Sequence, residues 1–187
     1  YAQAALGIMY CGNGVTADYI EAEKWLRKAA VQGDASAQSG LGSLYHEGKG
    51  VPQDYEEAVK WYRKSADQGF ARAQWLLGLM FRDGQGVQQD FNEAAKFIKM
   101  SADQGLAEAQ ESLCDLYISG IGVPQDYNEA IKWLQRAADQ GYARAQFSLG
   151  IHYLIGHYIP QNVILGHMWL NLAQSTLPSN ERRNKAA

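Results

Sequence analysis

The amino-acid sequence predicts an all-α fold, an elongated solenoid of about five helix-turn-helix repeats of 36 residues. The first observation is a block of the form A-x-A-Q-x-x-L-G-x-x-Y, which returns along the whole chain. The second is that one such unit is too small to bury both faces of a helix pair, so neighbouring units must stack. The third is an aromatic ladder at a constant spacing of 36 residues, formed by Trp25, Trp61, Phe97, Trp133 and Trp169.

The first helix of each unit, helix A, is predicted from the repeated block. In one copy Gln38, Leu41 and Tyr45 fall at i, i+3 and i+7, which is one face of a helix. Gly42 recurs on the same face, where a side chain would separate neighbouring backbones. We therefore expect helix A to bury this stripe.

The second helix, helix B, is predicted to begin with a D-x-x-E pair. Asp54 can accept hydrogen bonds from the first N–H groups of the helix, and Glu57 can reach back to the cap. Tyr55, Ala58 and Trp61 then form an apolar stripe, so the aromatic ladder is expected to be buried. The same acidic pair recurs as Asp18 with Glu21, Asp90 with Glu93 and Asp126 with Glu129.

Glycines mark the ends of both helices. Gly69 follows helix B, and the apolar Phe70 after it fits a Schellman-type closure. Between the helices lies a G-x-G-V loop at residues 48–51. A dinucleotide fingerprint would need a third glycine where Gln53 stands and a preceding strand, so this loop is interpreted as a structural turn.

The last repeat departs from the pattern, with Tyr158 at the second loop glycine and Asn162 at the cap aspartate. Terminal repeats are commonly atypical because they cap the core. We therefore expect residues 178–187 to begin a C-terminal capping helix, which could cover Phe147 and Ile151. The whole of 1–187 is predicted to be a single solenoid segment, with repeats at about 1–34, 35–70, 71–106, 107–142 and 143–177.

Composition and charge argue against several classes of function. The net charge is −3 at pH 7 and the 17 Lys and Arg residues are spread through the repeats, so we predict no nucleic-acid partner. No apolar run approaches the ~18 residues of a membrane-spanning helix, so no membrane insertion is expected. The chain begins at Tyr1 inside a predicted helix, which indicates a fragment or processed piece. The compartment therefore stays open between cytoplasm, bacterial periplasm and secretion.

The two cysteines, Cys11 and Cys114, are separated by about three repeats. Packed helical layers lie ~10 Å apart, whereas a disulfide needs about 6 Å between Cα atoms. We therefore predict two free thiols. Cys114 stands where other repeats have glycine, so it is interpreted as a small buried residue at a tight helix contact.

These residues resemble the Sel1-like repeat (SLR) family, a relative of the tetratricopeptide repeats. The match rests on the helix A block followed by G-x-G-V-x-x-D-Y-x-E-A-x-K-W-x-x-x-A-A-x-x-G, nearly complete at residues 37–69 and 109–141. The resemblance implies a right-handed α/α superhelix whose A helices line the concave side. It also implies a non-enzymatic scaffold or adaptor in protein–protein interaction.

The sequence contains few combinations of residues that are typical of a catalytic or metal-binding site. No S-x-x-K, G-x-S-x-G or H-E-x-x-H motif occurs, and the D-x-x-E pairs are explained by capping, so no catalytic residue, metal or cofactor is predicted. Some cysteine-rich SLR relatives act on β-lactams. A cell-wall or β-lactam enzyme is therefore one alternative, although this chain lacks their paired cysteines. A self-associating assembly module, joined end to end at the helix containing Tyr1, is the other alternative to the expected monomer.

Candidate partner-binding residues are the helix A positions that differ between repeats, because the recurring positions are explained by structure. Trp75, Leu79 and Arg82 follow one another at i, i+4 and i+7, on the side opposite the core stripe. Trp75 is the strongest candidate, since large aromatics dominate interface hot spots. The alternative is that it fills a gap between repeats. With Glu111 and Asp115 these residues would form a mixed apolar and charged groove. The full predicted set on the concave face is Trp75, Leu79, Arg82, Glu111, Asp115, Phe147, Ile151 and His46.

Overall fold

The structure of the chain, a computed structural model, describes residues 2–11 and 18–176. Every regular element within these residues is an α-helix, which confirms the predicted all-α fold of repeated helix pairs. The capping helix expected at residues 178–187 lies outside the described residues. The helices are α1 (Ala2–Tyr10), α2 (Tyr19–Val31), α3 (Ala35–Glu47), α4 (Tyr55–Asp67), α5 (Ala71–Asp83), α6 (Phe91–Asp103), α7 (Ala107–Ser119), α8 (Tyr127–Asp139), α9 (Ala143–Ile155) and α10 (Val163–Thr176).

The described helices alternate between the two predicted kinds. The odd-numbered helices are A helices and the even-numbered ones are B helices. From α3 onward, each A helix is followed by its B helix across a short loop. A helix packs against its own partner, as α3 does with α4, and a B helix also packs against the next A helix, as α4 does with α5. The chain divides into two compact units, residues 1–101 and 102–187. No described helix is long and apolar enough to cross a lipid bilayer.

Helix B begins at the repeated aspartate, as predicted. The N–H of Glu57 donates to Asp54 Oδ1 at 3.0 Å, which satisfies one of the free amides at the start of α4. The same bond is made to Asp18, Asp90 and Asp126.

The glutamate of the pair does not complete the predicted capping box. Its carboxylate pairs instead with a lysine one turn on, at 2.7 Å between Glu57 Oε1 and Lys60 Nζ. The N–H of Asp54 donates to the carbonyl of Tyr45 at 2.9 Å, so the cap amide is already satisfied by the end of helix A. The prediction that the glutamate reaches back is therefore wrong. The equivalent pairs are Glu21 with Lys24, Glu93 with Lys96 and Glu129 with Lys132.

Helix B ends as the glycine signal predicts. Gly69 has a φ of +83°, and its N–H donates to the carbonyl of Ala66 at 2.9 Å. The N–H of Phe70 donates to the carbonyl of Ser65 at 3.3 Å. These two bonds form the Schellman closure that the sequence indicated.

The second glycine of the A–B loop is required by a close backbone approach. A Cβ on Gly86, whose φ is +64°, would stand 2.3 Å from the carbonyl carbon of Tyr55. The loop therefore lies directly on the start of the preceding B helix. In the last repeat Tyr158 takes this position with a φ of +66°, and its ring stacks on Tyr127 with 4.3 Å between centroids. Ring stacking thus accompanies the non-glycine residue at this turn.

The core lies between neighbouring repeats. In the first unit one buried cluster joins Leu26 of α2, Leu41 of α3 and the ring of Trp61 of α4. A second cluster joins Leu77 of α5, Phe97 of α6 and the buried residues of α4. Burial therefore passes from one repeat to the next, as expected for a repeat protein.

The aromatic ladder is buried at four of its five positions. Trp61 is 8% exposed, and the Nζ of Lys64 lies over its ring, 4.2 Å from the ring centroid. Trp25 is only half-buried, because the described residues include no earlier repeat against which it could pack. The other buried rings are Phe97, Trp133 and Trp169.

Buried glutamines connect consecutive helices. Gln38, which is 5% exposed, donates from Nε2 to the carbonyl of Ala30 in α2 at 3.1 Å. Its Oε1 accepts a bond from Gln68 Nε2, at the end of α4, at 2.7 Å. Gln110 and Gln140 repeat the side-chain bond at 2.8 Å. Gln38 was predicted to lie on the buried face of helix A, but its hydrogen bonds to Ala30 and Gln68 were not predicted.

Candidate partner-binding surfaces

The predicted site residues all lie on A helices, and they divide between the two compact units. In the first unit are His46, Trp75, Leu79 and Arg82. In the second unit are Glu111, Asp115, Phe147 and Ile151.

A groove of about 520 Å³ in the first unit contains two predicted residues, His46 and Leu79. We call it the α3–α5 groove, because residues of α3, α4 and α5 surround it. Its lining residues are His46, Glu47, Lys49, Gln53, Tyr55, Tyr62, Leu76, Leu79, Met80, Asp83 and Gln85.

The floor of the α3–α5 groove is apolar and closely packed. Tyr62 is 1% exposed and Met80 2% exposed, and Leu76 and Leu79 are half-buried beside them. The Tyr62 hydroxyl donates to Ser43 Oγ at 3.1 Å. Burial raises the pKa of Tyr62 to about 12, so the hydroxyl stays protonated at neutral pH. The apolar surface open to a ligand therefore comes from Leu76 and Leu79, above a closely packed and uncharged floor.

The rim of the α3–α5 groove is polar. The His46 ring leans against Tyr55 with 5.4 Å between centroids, and His46 Nε2 lies 3.3 Å from Gln85 Oε1. Lys49 Nζ and Glu47 Oε2 form an exposed ion pair at 2.5 Å. An apolar floor with a few polar groups at the rim is the usual composition of a ligand groove.

Trp75 and Arg82 are not among the described residues that line this groove. Trp75 is half-buried on α5, with the Arg72 guanidinium carbon 6.0 Å from its ring centroid. The Arg82 guanidinium is held by Asp83, with Nε–Oδ1 at 2.7 Å and Nη2–Oδ2 at 3.0 Å. Both residues lie on the helix that forms one wall of the groove.

A second groove of about 480 Å³ lies in the second unit and contains Glu111 and Phe147. Glu111, expected at the surface, is only 9% exposed, and its Oε1 lies 3.2 Å from Arg144 Nε. Burial raises the pKa of the Glu111 carboxyl, and the nearby Arg144 opposes the rise. Asp115 is exposed and Ile151 is half-buried, and neither is among the described lining residues.

This second groove, which we call the α9–α10 groove, occupies a position where helices pack elsewhere in the chain. Gln174 lines it and is exposed, whereas its counterpart in the preceding repeat, Ala138, is 1% exposed. Ala138 is covered there by the next A helix, because Gln146 of α9 donates to its carbonyl at 3.1 Å. Phe147 is 55% exposed, while its counterpart Glu111 is buried. The groove is therefore shaped to receive a further helix.

Two further features bear on reactivity: the thiol of Cys114 and the placement of side chains that could bind a metal ion. Cys114 is a free thiol that is 2% exposed, and burial raises its pKa to about 12. This supports the interpretation of Cys114 as a packing residue rather than a nucleophile. Across residues 2–11 and 18–176, no group of three or more His, Cys, Asp and Glu side chains is placed to hold a metal ion.

Sequence reasoning missed the helix B contribution to the α3–α5 groove. Tyr62 forms its floor, but only helix A positions were compared between repeats. The counterparts of Tyr62 are Leu26, Ile98, Leu134 and Leu170, so Tyr62 alone among these carries a hydroxyl. The same comparison applied to helix B would have singled it out.

Consecutive A–B helix pairs with a core that passes from repeat to repeat define a helical repeat protein of the tetratricopeptide-like kind. The chain belongs to the Sel1 repeat family. The family profile matches five consecutive stretches, residues 1–34, 35–70, 71–106, 107–142 and 143–173.

Solved structures of Sel1 repeat proteins are similar to this chain. A Sel1 repeat protein from Oxalobacter formigenes is 37% identical, with a TM-score of 0.86 over 92% of this chain and 69% of its own length. A protective antigen of uropathogenic Escherichia coli strains, which displays an SLR fold, is 32% identical, with a TM-score of 0.82. That match covers 96% of this chain and 38% of the antigen.

A more distant similarity extends to an immunity protein from Pseudomonas aeruginosa. It is 23% identical, with a TM-score of 0.68 over 94% of this chain and 65% of the other, and it shows the shared fold. No curated protein sequence gives a significant match. Sel1 repeat proteins generally act as protein-interaction scaffolds and are typically non-catalytic.

Proposed function

We propose that this chain is an interaction scaffold that binds a segment of a partner protein in the α3–α5 groove. One observation carries the proposal: an internal groove with an apolar floor is lined mostly by residues that change from repeat to repeat. Leu79 has Ser43, Asp115 and Ile151 as counterparts, and the positions equivalent to His46 are equally varied. Recurring residues maintain the fold, so varied residues over a groove are the ones available for recognition.

The lining indicates the chemistry of the bound segment. Leu76 and Leu79, which are half-buried, provide an apolar surface on which one apolar anchor side chain of the partner can be buried. His46 and Gln85 stand at the rim, where they can bond the polar backbone groups of the same segment. The α9–α10 groove is set aside as the main site because it matches a helix-packing position.

The first test is Leu79→Asp, which places a charge on the apolar wall. Asp115 is the exposed counterpart of Leu79 in the next repeat, so an A helix of this chain accommodates aspartate at this register. Peptides selected from a displayed random library on the unmodified chain should bind Leu79→Asp at least ~10-fold more weakly. Fluorescence anisotropy of the labelled peptides provides the affinities.

The matched control is Glu56→Asn, an exposed helix B position where Asn92 and Asn128 stand in later repeats. It should leave peptide affinity unchanged, and both variants should keep the circular dichroism spectrum of the unmodified chain. Selected peptides that bind Leu79→Asp as tightly as the unmodified chain would place the site elsewhere and refute the proposal.

Trp75→Ala tests whether the predicted aromatic hot spot extends this surface. Trp75 shares α5 with Leu79 and is half-buried, so part of its ring is open to a partner. We expect the variant to lose roughly 2 kcal/mol of binding free energy for the same peptides, while helical content and the cooperativity of melting stay nearly unchanged. A collapse of the melting transition would show instead that Trp75 is a packing residue.

A further inference from the structure

The outward side of α10 carries an apolar stripe. Ile164, Met168 and Leu172 lie at i, i+4 and i+8, so they follow one another along a single side of the helix. They are 82%, 42% and 40% exposed, respectively. Large apolar side chains arranged contiguously on an exposed helix face mark an interaction surface more strongly than scattered ones. We call these three residues the α10 stripe.

The corresponding positions of the other B helices are mostly polar or charged. A lysine occupies the place of Met168 in all four, and each lysine side chain is at least 56% exposed. Single apolar residues occur elsewhere, as Ile20 in α2 and Met100 in α6, but only α10 among the described B helices has all three. The lysines are Lys24, Lys60, Lys96 and Lys132.

The exposure of Lys132, the counterpart of Met168 in α8, shows that further repeats would not cover the α10 stripe. Lys132 of α8 is followed by the complete A–B pair α9 and α10, yet its side chain is 63% exposed. This register therefore faces solvent within the array as well as at its end. Added helix pairs of the same kind would therefore leave Met168 exposed, as α9 and α10 leave Lys132.

We infer that the α10 stripe is a contact with a second copy of this chain, in which two α10 helices pack antiparallel about a two-fold axis at Met168. The stripe is symmetric about Met168, so this arrangement sets Met168 against itself and Ile164 against Leu172 of the other copy. None of the 14 residues of α10 is Asp, Glu, Lys or Arg. α10 therefore brings no Asp, Glu, Lys or Arg side chain of its own to the axis, whereas the lysine of the other B helices would repel its own copy.

The size of the α10 stripe determines the strength of this contact. Three side chains with these exposures offer on the order of 300 Å² per copy, against ~800 Å² per partner in a standard stable interface. We therefore expect a weak, concentration-dependent dimer with a Kd on the order of 100 μM. At low concentration the chain is then a monomer, which keeps this inference separate from peptide binding in the α3–α5 groove.

Sedimentation equilibrium of the unmodified chain over increasing concentration tests the inference first. The expected result is a monomer–dimer equilibrium that Met168→Lys weakens at least ~10-fold, with an unchanged circular dichroism spectrum and melting temperature. Lysine at this register is accommodated by four other helices of the same chain, so the variant is matched to the fold. Met168→Leu, which keeps the apolar surface, should retain the dimer.

Cysteine cross-linking tests the symmetry of the contact, in a Cys11→Ser background that removes the less buried native thiol. Met168→Cys should form disulfide-linked dimers with itself. Ile164→Cys should do so only when mixed with Leu172→Cys, because the antiparallel arrangement places those two positions together. Lys132→Cys, at the same register of α8, provides the control.

Two results would overturn the inference. One is a chain that sediments as a monomer throughout, up to concentrations on the order of 1 mM, since a Kd of the expected size would then be excluded. The other is cross-linking of Lys132→Cys as efficient as that of Met168→Cys, which would show random collision. In either case the α10 stripe would be assigned to a different protein rather than to a second copy.

Discussion

Gly86→Ala is expected to destabilise the chain by about 3–5 kcal/mol, one of the largest effects of any single methyl group added to it. The new Cβ would stand 2.3 Å from the carbonyl carbon of Tyr55, which is backbone and cannot rotate away. The φ of +64° adds the cost of a left-handed conformation, about 1–2 kcal/mol. The loop must therefore lift from the start of α4, and the contact between these two repeats is lost.

Gly69→Ala is the matched control for this prediction. Gly69 has a φ of +83°, but nothing lies within 4 Å of the place its Cβ would take. We expect a cost of only about 1 kcal/mol, from backbone strain alone. Urea unfolding monitored by circular dichroism gives both free energies. Equal losses for the two variants would show that φ, rather than the approach to Tyr55, determines the effect.

Gln38→Met is expected to cost about 1–2 kcal/mol although it keeps the length of the side chain. The variant removes the amide that donates to the carbonyl of Ala30. It also takes from Gln68 one of its two acceptors, the other being the carbonyl of Lys64 at 3.4 Å. The Ala30 carbonyl keeps the bond from the Gly33 N–H at 3.1 Å, so the cost is that of one of its two hydrogen bonds at a buried contact rather than of an unpaired carbonyl.

A double-mutant cycle with Gln68→Ala checks this assignment. Gln68 is exposed, so its replacement alone should cost well under 1 kcal/mol. The coupling energy between Gln38 and Gln68 should be on the order of 0.5–1 kcal/mol. A Gln38→Met variant as stable as the unmodified chain would contradict the role given to the buried amide.

Local features of the fold were predictable because their causes lie within a few residues. The Asp54 cap and the Gly69 closure each depend on bonds that span three to five residues, and the spacing in the sequence shows them directly. The role of Glu57 was mispredicted because the competing acceptor for the Asp54 N–H is the carbonyl of Tyr45, nine residues earlier, across the loop. A sequence motif within helix B alone cannot predict this bond to the end of helix A.

The candidate site was predicted in part, for a related reason. Comparing repeats singled out His46 and Leu79, which do line the α3–α5 groove. Glu111 was expected to face a partner, but it is buried and pairs with Arg144 of the following A helix. Such a pair joins residues 33 positions apart, so it depends on how successive repeats pack rather than on either helix alone.

The glutamate–lysine pairs at the start of each of the first four B helices have a consequence for the evolution of chain length. Glu57 with Lys60 contributes one anion and one cation at a fixed separation of 2.7 Å, and the equivalent pairs do the same in their repeats. Duplicating or deleting such a unit leaves the balance of these charges unchanged. These pairs therefore add no net charge when repeats are gained or lost, and any charge that accumulates along the array comes from other positions.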